Sequence, residues 1–112
     1  MSEINFLFSL SHEAEDRIRV TAIKAKGKIL KFVVQYEAKI KDKWRQIVRY
    51  DTSHGFAHKD IIHPSGQKEK QPLYFPILNA AFTFAIQDLK ISWKWYRAAY
   101  EKELTDEERN SS

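Results

Sequence analysis

Between Arg17 and Tyr50 apolar residues recur at every second position, the period of a strand with one buried face. Ile18, Val20 and Ala22 form the first such set, and Phe32, Val34, Tyr36, Ala38 and Ile40 form the second. Trp44, Gln46, Val48 and Tyr50 continue the alternation in a third. Lys26-Gly27-Lys28 and Lys41-Asp42-Lys43 separate the three as polar turns. This predicts an antiparallel meander over residues 17 to 50. Phe32, Tyr36 and Trp44 point into its core, while Lys31, Lys39, Arg45 and Arg49 lie on its solvent face.

The flanks read differently. Ile4 to Leu10 is an apolar run that suits an edge strand or a short helix, and Glu13-Ala14-Glu15-Asp16 is a solvated turn. Residues 56 to 63 fit a fourth strand, Pro64-Ser65-Gly66-Gln67 a tight turn, and Lys68 to Gln71 a short charged edge. Beyond Pro72 the period lengthens: Leu78, Ala81, Phe82, Ala85, Ile86, Leu89, Trp93, Tyr96 and Tyr100 recur at three- and four-residue steps. A helix over 76–104 follows, with Pro76 in its first turn and a length of about 43 Å. Its aromatic half, with Trp93, Trp95, Tyr96 and Tyr100, either wraps the sheet or overhangs it as a surface for a homodimer. Residues 105–112 read as a frayed acidic tail. The expected fold is α+β: an antiparallel β-meander of three to five strands packed against one long C-terminal helix. Residues 1–112 form one domain, divided into 1–16, 17–72, 76–104 and 105–112.

Composition narrows the setting. With 43% hydrophobic and 13% aromatic residues, the 112-residue chain can bury a core. It has no cysteine, which excludes disulfides and thiolate metal sites. The apolar opening has no basic residue before it and no small-residue cleavage site after it, and no apolar run approaches the roughly 20 residues that span a bilayer. A soluble, cytoplasmic protein without a membrane partner is expected. Charge is uneven: residues 17 to 50 hold eleven Lys or Arg against two acids, whereas residues 1 to 16 hold four acids and no Lys or Arg. Such a basic segment suits a polyanion, usually nucleic acid. Lysines that protect sheet edges give the same pattern.

Candidate chemistry concentrates in one stretch, Arg49-Tyr50-Asp51-Thr52-Ser53-His54-Gly55-Phe56-Ala57-His58-Lys59-Asp60-Ile61-Ile62-His63, which holds three of the four histidines. Imidazoles and carboxylates are ligands for divalent metals, so a metal at the histidine cluster is chemically reasonable. Strand parity disfavours it, because His58 and Asp60 share a face that His63 does not. Metal-free acid–base chemistry asks for less and needs no cofactor. A carboxylate beside a histidine orients the ring, and His58 with Asp60 supplies such a pair. His54, His58, Asp60 and His63 are therefore the catalytic candidates, and Arg45, Arg49, Lys31, Lys39 and Lys59 the nucleic-acid-binding ones. A wholly structural stretch, with loop residues bonding the backbone, stands beside this.

The same stretch resembles a small prokaryotic family of unknown function with a Tyr-Asp-x-x-His-Gly-x-x-His motif. That family is distantly similar to TumE-type toxins of toxin–antitoxin modules, whose motif is Arg-(Trp or Tyr)-Asp-Asn followed by histidines; Thr52 stands where the Asn would be. The resemblance implies an α+β domain, a toxin-like role and an antitoxin partner. The expected function is a nucleic-acid-acting protein, a ribonuclease-like hydrolase or phosphotransferase with RNA as its partner. The alternative is a non-catalytic nucleic-acid or protein binding module in which the histidine stretch is structural.

Overall fold

A computed structural model describes residues 1–52 and 55–111. Six strands, β1 (Ser2–Ser9), β2 (Asp16–Ala25), β3 (Lys28–Ile40), β4 (Lys43–Asp51), β5 (His58–Ile62) and β6 (Lys68–Pro72), precede one helix, α1 (Leu78–Asn110). They form a single sheet in the order β1 to β6, each antiparallel to the next. The α+β expectation holds, with six strands in place of three to five: Ile4 to Leu10 supplies an edge strand, and the charged segment at Lys68 supplies the other edge.

The tight turns follow from local chemistry. Lys26 and Gly27 both take positive φ, as a two-residue turn matching the twist of its strands requires. Lys41 and Asp42 do the same at the next hairpin.

The helix covers one face of the sheet and leaves the other open. Ile18, Val20, Phe32, Val34, Tyr36, Val48 and Tyr50 are buried against Ala81, Ala85, Leu89, Tyr96 and Tyr100. Edge-to-face rings reinforce the contact, Phe32 on Phe82 at 5.4 Å and Tyr36 on Trp93 at 6.3 Å. The helix start has no side-chain cap of its own but is tied to the β2–β3 hairpin: Asn79 accepts from Ile29 N at 2.8 Å and donates to Gly27 O at 3.0 Å. Further on, Arg97 donates to Asp16 at 2.9 Å and to Lys39 O at 3.1 Å, and Lys41 pairs with Glu108.

α1 therefore runs along β3 from its first residue past its last. Thirteen strand residues span about 43 Å and 33 helical ones about 50 Å, so the two are closely matched. One expectation is corrected. The helix runs from 78 to 110 instead of 76 to 104, so the acidic segment is its last turns rather than a frayed tail; Thr105 bonds Glu101 O within it. Of the two alternatives for the aromatic half, the structure shows the one that wraps the sheet, with Trp93 on Tyr36 and with Tyr96 and Tyr100 buried, while Trp95 stays exposed.

A second correction concerns β4. The register shifts at Tyr36/Glu37, where Tyr36 faces Val48 but Glu37 faces Gln46, so Ile47 is the extra residue of a bulge. Before the bulge, parity is the reverse of a regular strand. Trp44 lies on the open face with Arg17 stacked 3.7 Å above its ring, and Arg45 turns to the helix side opposite Ala38, where Nε donates to Ile40 O.

Candidate active site on the open sheet face

The register assembles the site. On the open face, one row across the sheet reads Arg19, Gln35, Arg49, Asp60 and Lys70; the next reads Thr21, Val33, Asp51, His58 and Pro72. Asp51 and His58 are direct cross-strand partners, and Asp60 follows two residues after His58 on the same face. Thr52 secures the end of β4 by accepting from Phe32 N at 3.0 Å. Gly55, with φ +82°, supplies a left-handed turn in the connection to β5.

A hydrogen-bonded chain of side chains crosses four strands. Glu37 receives Arg17 at 2.7 Å, Arg19 at 3.1 Å and Gln35 at 2.5 Å. Arg49 donates to Gln35 Oε1 at 3.2 Å and to Asp51 Oδ2 at 2.9 Å, and Asp51 Oδ1 lies 2.6 Å from His58 Nε2. Burial pushes the Glu37 carboxyl up, but the bonds from Arg19, Arg17 and Gln35 outweigh it and hold the group below the usual carboxylate range. His58 and Asp60 are only 2% and 5% exposed, and Phe56 sits edge-on to the His58 ring. Asp60 is an exception to the satisfied chain: its Oδ1 is buried with no hydrogen-bond partner among the described residues.

Beside this chain lies a depression of about 360 Å³ lined by Glu3, Thr21, Lys31, Val33, Arg49 and Asp51 among others. Lys31 and Arg49 offer it cations. Asp51 fixes the ring of His58, an arrangement suited to proton transfer, and Arg49 is placed to steady an anion.

The sequence-derived residues divide accordingly. His58, Asp60, Arg49 and Lys31 share the open face, where Lys39 also stands opposite Trp44. His54 lies outside the described residues. His63 does not converge with the others. It follows β5 on the helix side, 2.7 Å from Glu103 and 3.7 Å from Glu69, and the bond to Glu103 raises its pKa. Lys59 is corrected from a nucleic-acid contact to an interior group: Nζ donates to Tyr96 OH at 2.5 Å, and burial lowers its pKa despite Asp88 at 3.8 Å. Arg45 leaves the basic face through the bulge.

Sequence reading missed Asp51, Gln35 and Glu37. The signal for Asp51 is hairpin register. Once residues 56–63 form a strand antiparallel to the meander, Asp51 at the end of one strand meets His58 at the start of the next.

Among the described residues no helix is long and apolar enough to cross a membrane. No curated protein and no solved structure matches the chain. A family model described as a domain of unknown function, DUF7718, matches residues 1–106, and the chain belongs to that family.

Proposed function

We propose that this protein acts on nucleic acid, with RNA as its substrate, at the open face of its sheet. One observation carries the reading: Arg49 joins the buried Asp51–His58 pair to a 360 Å³ depression whose other cation is Lys31. A phosphodiester seated there has Lys31 and Arg49 to hold it against the carboxylates of Glu3 and Asp51, and Asp51 links the depression to His58 behind it. RNA carries its own nucleophile in the 2′-hydroxyl, which suits a small protein. The TumE-type resemblance at Arg49-Tyr50-Asp51 supports a toxin-like role of this kind. An antitoxin or a second copy of the chain has Ile91 and Trp95, exposed by 79% and 68%, as apolar contacts on the helix.

A second reading is favoured by the burial of His58: a binding module in which the His58–Asp51 pair braces Arg49 and no bond is broken. Incubation of purified protein with labelled RNA separates the two. The proposal expects cleavage that His58→Ala abolishes while circular dichroism is retained. Intact RNA after long incubation, with and without divalent metal, sinks it. The binding module instead expects salt-dependent affinity that survives His58→Ala and falls when Lys31 and Arg49 are both neutralised.

A further inference from the structure

We infer that Asp51, His58 and Asp60 form a binding site for one divalent first-row metal ion on the open face. The three residues each offer a ligand atom, an imidazole nitrogen or a carboxylate oxygen, and these atoms lie within 4.8 Å of one another. All three side chains belong to buried residues. They occupy adjacent corners of one hairpin, Asp51 opposite His58 and Asp60 next along β5, so the backbone holds the set in place without a loop.

Clustering alone would not make this a site. Asp60 supplies the independent observation. The residue is 5% exposed, and its buried Oδ1 has no hydrogen-bond partner among the described residues. A buried carboxylate oxygen without a partner costs on the order of 1–3 kcal/mol, so folded proteins retain few of them. Here the carboxylate also faces a second one, that of Asp51, across less than 5 Å. Arg49 offsets part of the repulsion but is bonded to Asp51 and Gln35. A dication between the two carboxylates satisfies Asp60, removes the repulsion and takes the His58 nitrogen as its third protein ligand, replacing the 2.6 Å contact of that ring with Asp51 Oδ1.

One imidazole and two carboxylates suit Mn²⁺, Fe²⁺ or Zn²⁺; the absence of a thiolate argues against the softer ions. Three protein ligands leave positions for water or another oxygen ligand, and of the three Asp51 also lines the depression. The inference rests on side-chain geometry and deepens the proposed function without depending on it. It differs from the metal at the histidine cluster that strand parity disfavours: the ligands come from one histidine and the two aspartates of its hairpin, and His63 takes no part.

The test uses the full chain, stripped with a chelator and titrated with Mn²⁺ while electron paramagnetic resonance follows the free ion. One Mn²⁺ per chain is expected, with affinity falling at least tenfold in Asp60→Asn and in His58→Ala and unchanged in His63→Ala. Asp60→Asn keeps the shape of the site, and circular dichroism recorded on each variant guards against misfolding. Absence of stoichiometric binding, or binding lost in His63→Ala but kept in Asp60→Asn, overturns the inference. RNA cleavage that persists in chelator without Mn²⁺ binding overturns the metal site and leaves the proposed function. Mn²⁺ binding without RNA cleavage does the reverse.

Discussion

At the scale of single residues, the two faces of the sheet hold different kinds of polar group. On the helix side, Tyr50 and Tyr96 both donate to Asp88, at 2.5 and 2.6 Å, and Tyr36 donates to Asp16 at 2.5 Å. Burial, and then these bonds to carboxylates, push all three phenols well above the usual tyrosine range. Because their pKa is higher folded than unfolded, stability is full below about pH 10 and falls as pH rises beyond it. Ultraviolet titration should therefore show these three phenols ionising only with unfolding; three hydroxyls that ionise near pH 10 in the folded protein contradict the assignment. The pair of His63 with Glu103 has the same sign in a lower window, since its stabilisation is present below about pH 6.5 and lost as pH rises past the elevated value. Both side chains are partly exposed, so the effect is at most about 1 kcal/mol. His63→Gln should lower the melting temperature at pH 5.5 more than at pH 8.5. On the open face, Glu37→Gln removes a carboxylate that receives two arginines and a glutamine, and should cost about 1–3 kcal/mol by urea unfolding. The arginines can turn to water, which keeps the cost below that of stranding a buried charge.

At the scale of elements, alternation made most of the fold legible in the sequence. The inward positions of β2 and of β3 from Phe32 onward were readable because parity is unbroken there; at the start of β3 a register shift leaves Leu30 unpaired and puts Ile29 in the core. In β4 likewise one bulged residue, Ile47, reverses the faces of Trp44 and Arg45; a bulge leaves no mark in a pattern that alternates on both sides of it. The helix boundary failed for another reason. Residues 105 to 110 carry no apolar periodicity, yet they continue a helix already nucleated and tied by Lys41 to Glu108. The candidate site was half legible: parity joined His58 to Asp60 and set His63 apart, but Asp51 comes from a neighbouring strand, and only register brings it in. The helix itself is held by a narrow stripe, with Leu89 its one wholly buried branched aliphatic side chain. Leu89→Ala should cost about 2–5 kcal/mol, measured as a shift in the urea midpoint. A loss below 1 kcal/mol would show that the helix is not docked there.

At the scale of the whole molecule, the one helix lies on one face of a six-stranded sheet, and among the described residues no second helix covers the other, although Gln35, Glu37, Asp51, His58 and Asp60 on it are buried. That face is not the apolar surface of an unfinished sandwich. It carries a connected set of arginines, glutamine, carboxylates and a histidine, with lysines at its margin. Two physical demands meet there: strand pairing aligns the rows, and each buried polar group must find a partner within them. The basic segment of the sequence is thereby turned into a patterned surface, since Arg17 and Arg19 are bound to Glu37 while Lys31 and Arg49 line the depression. The central claim is that this open face, and not the helix, meets the substrate. Amide chemical shifts measured by NMR during titration with a short RNA test it most directly. The account predicts changes concentrated at Arg19, Lys31, Arg49, Asp51, His58 and Lys70. Changes confined to Ile91, Trp95 and their helical neighbours, or none at all, would contradict it.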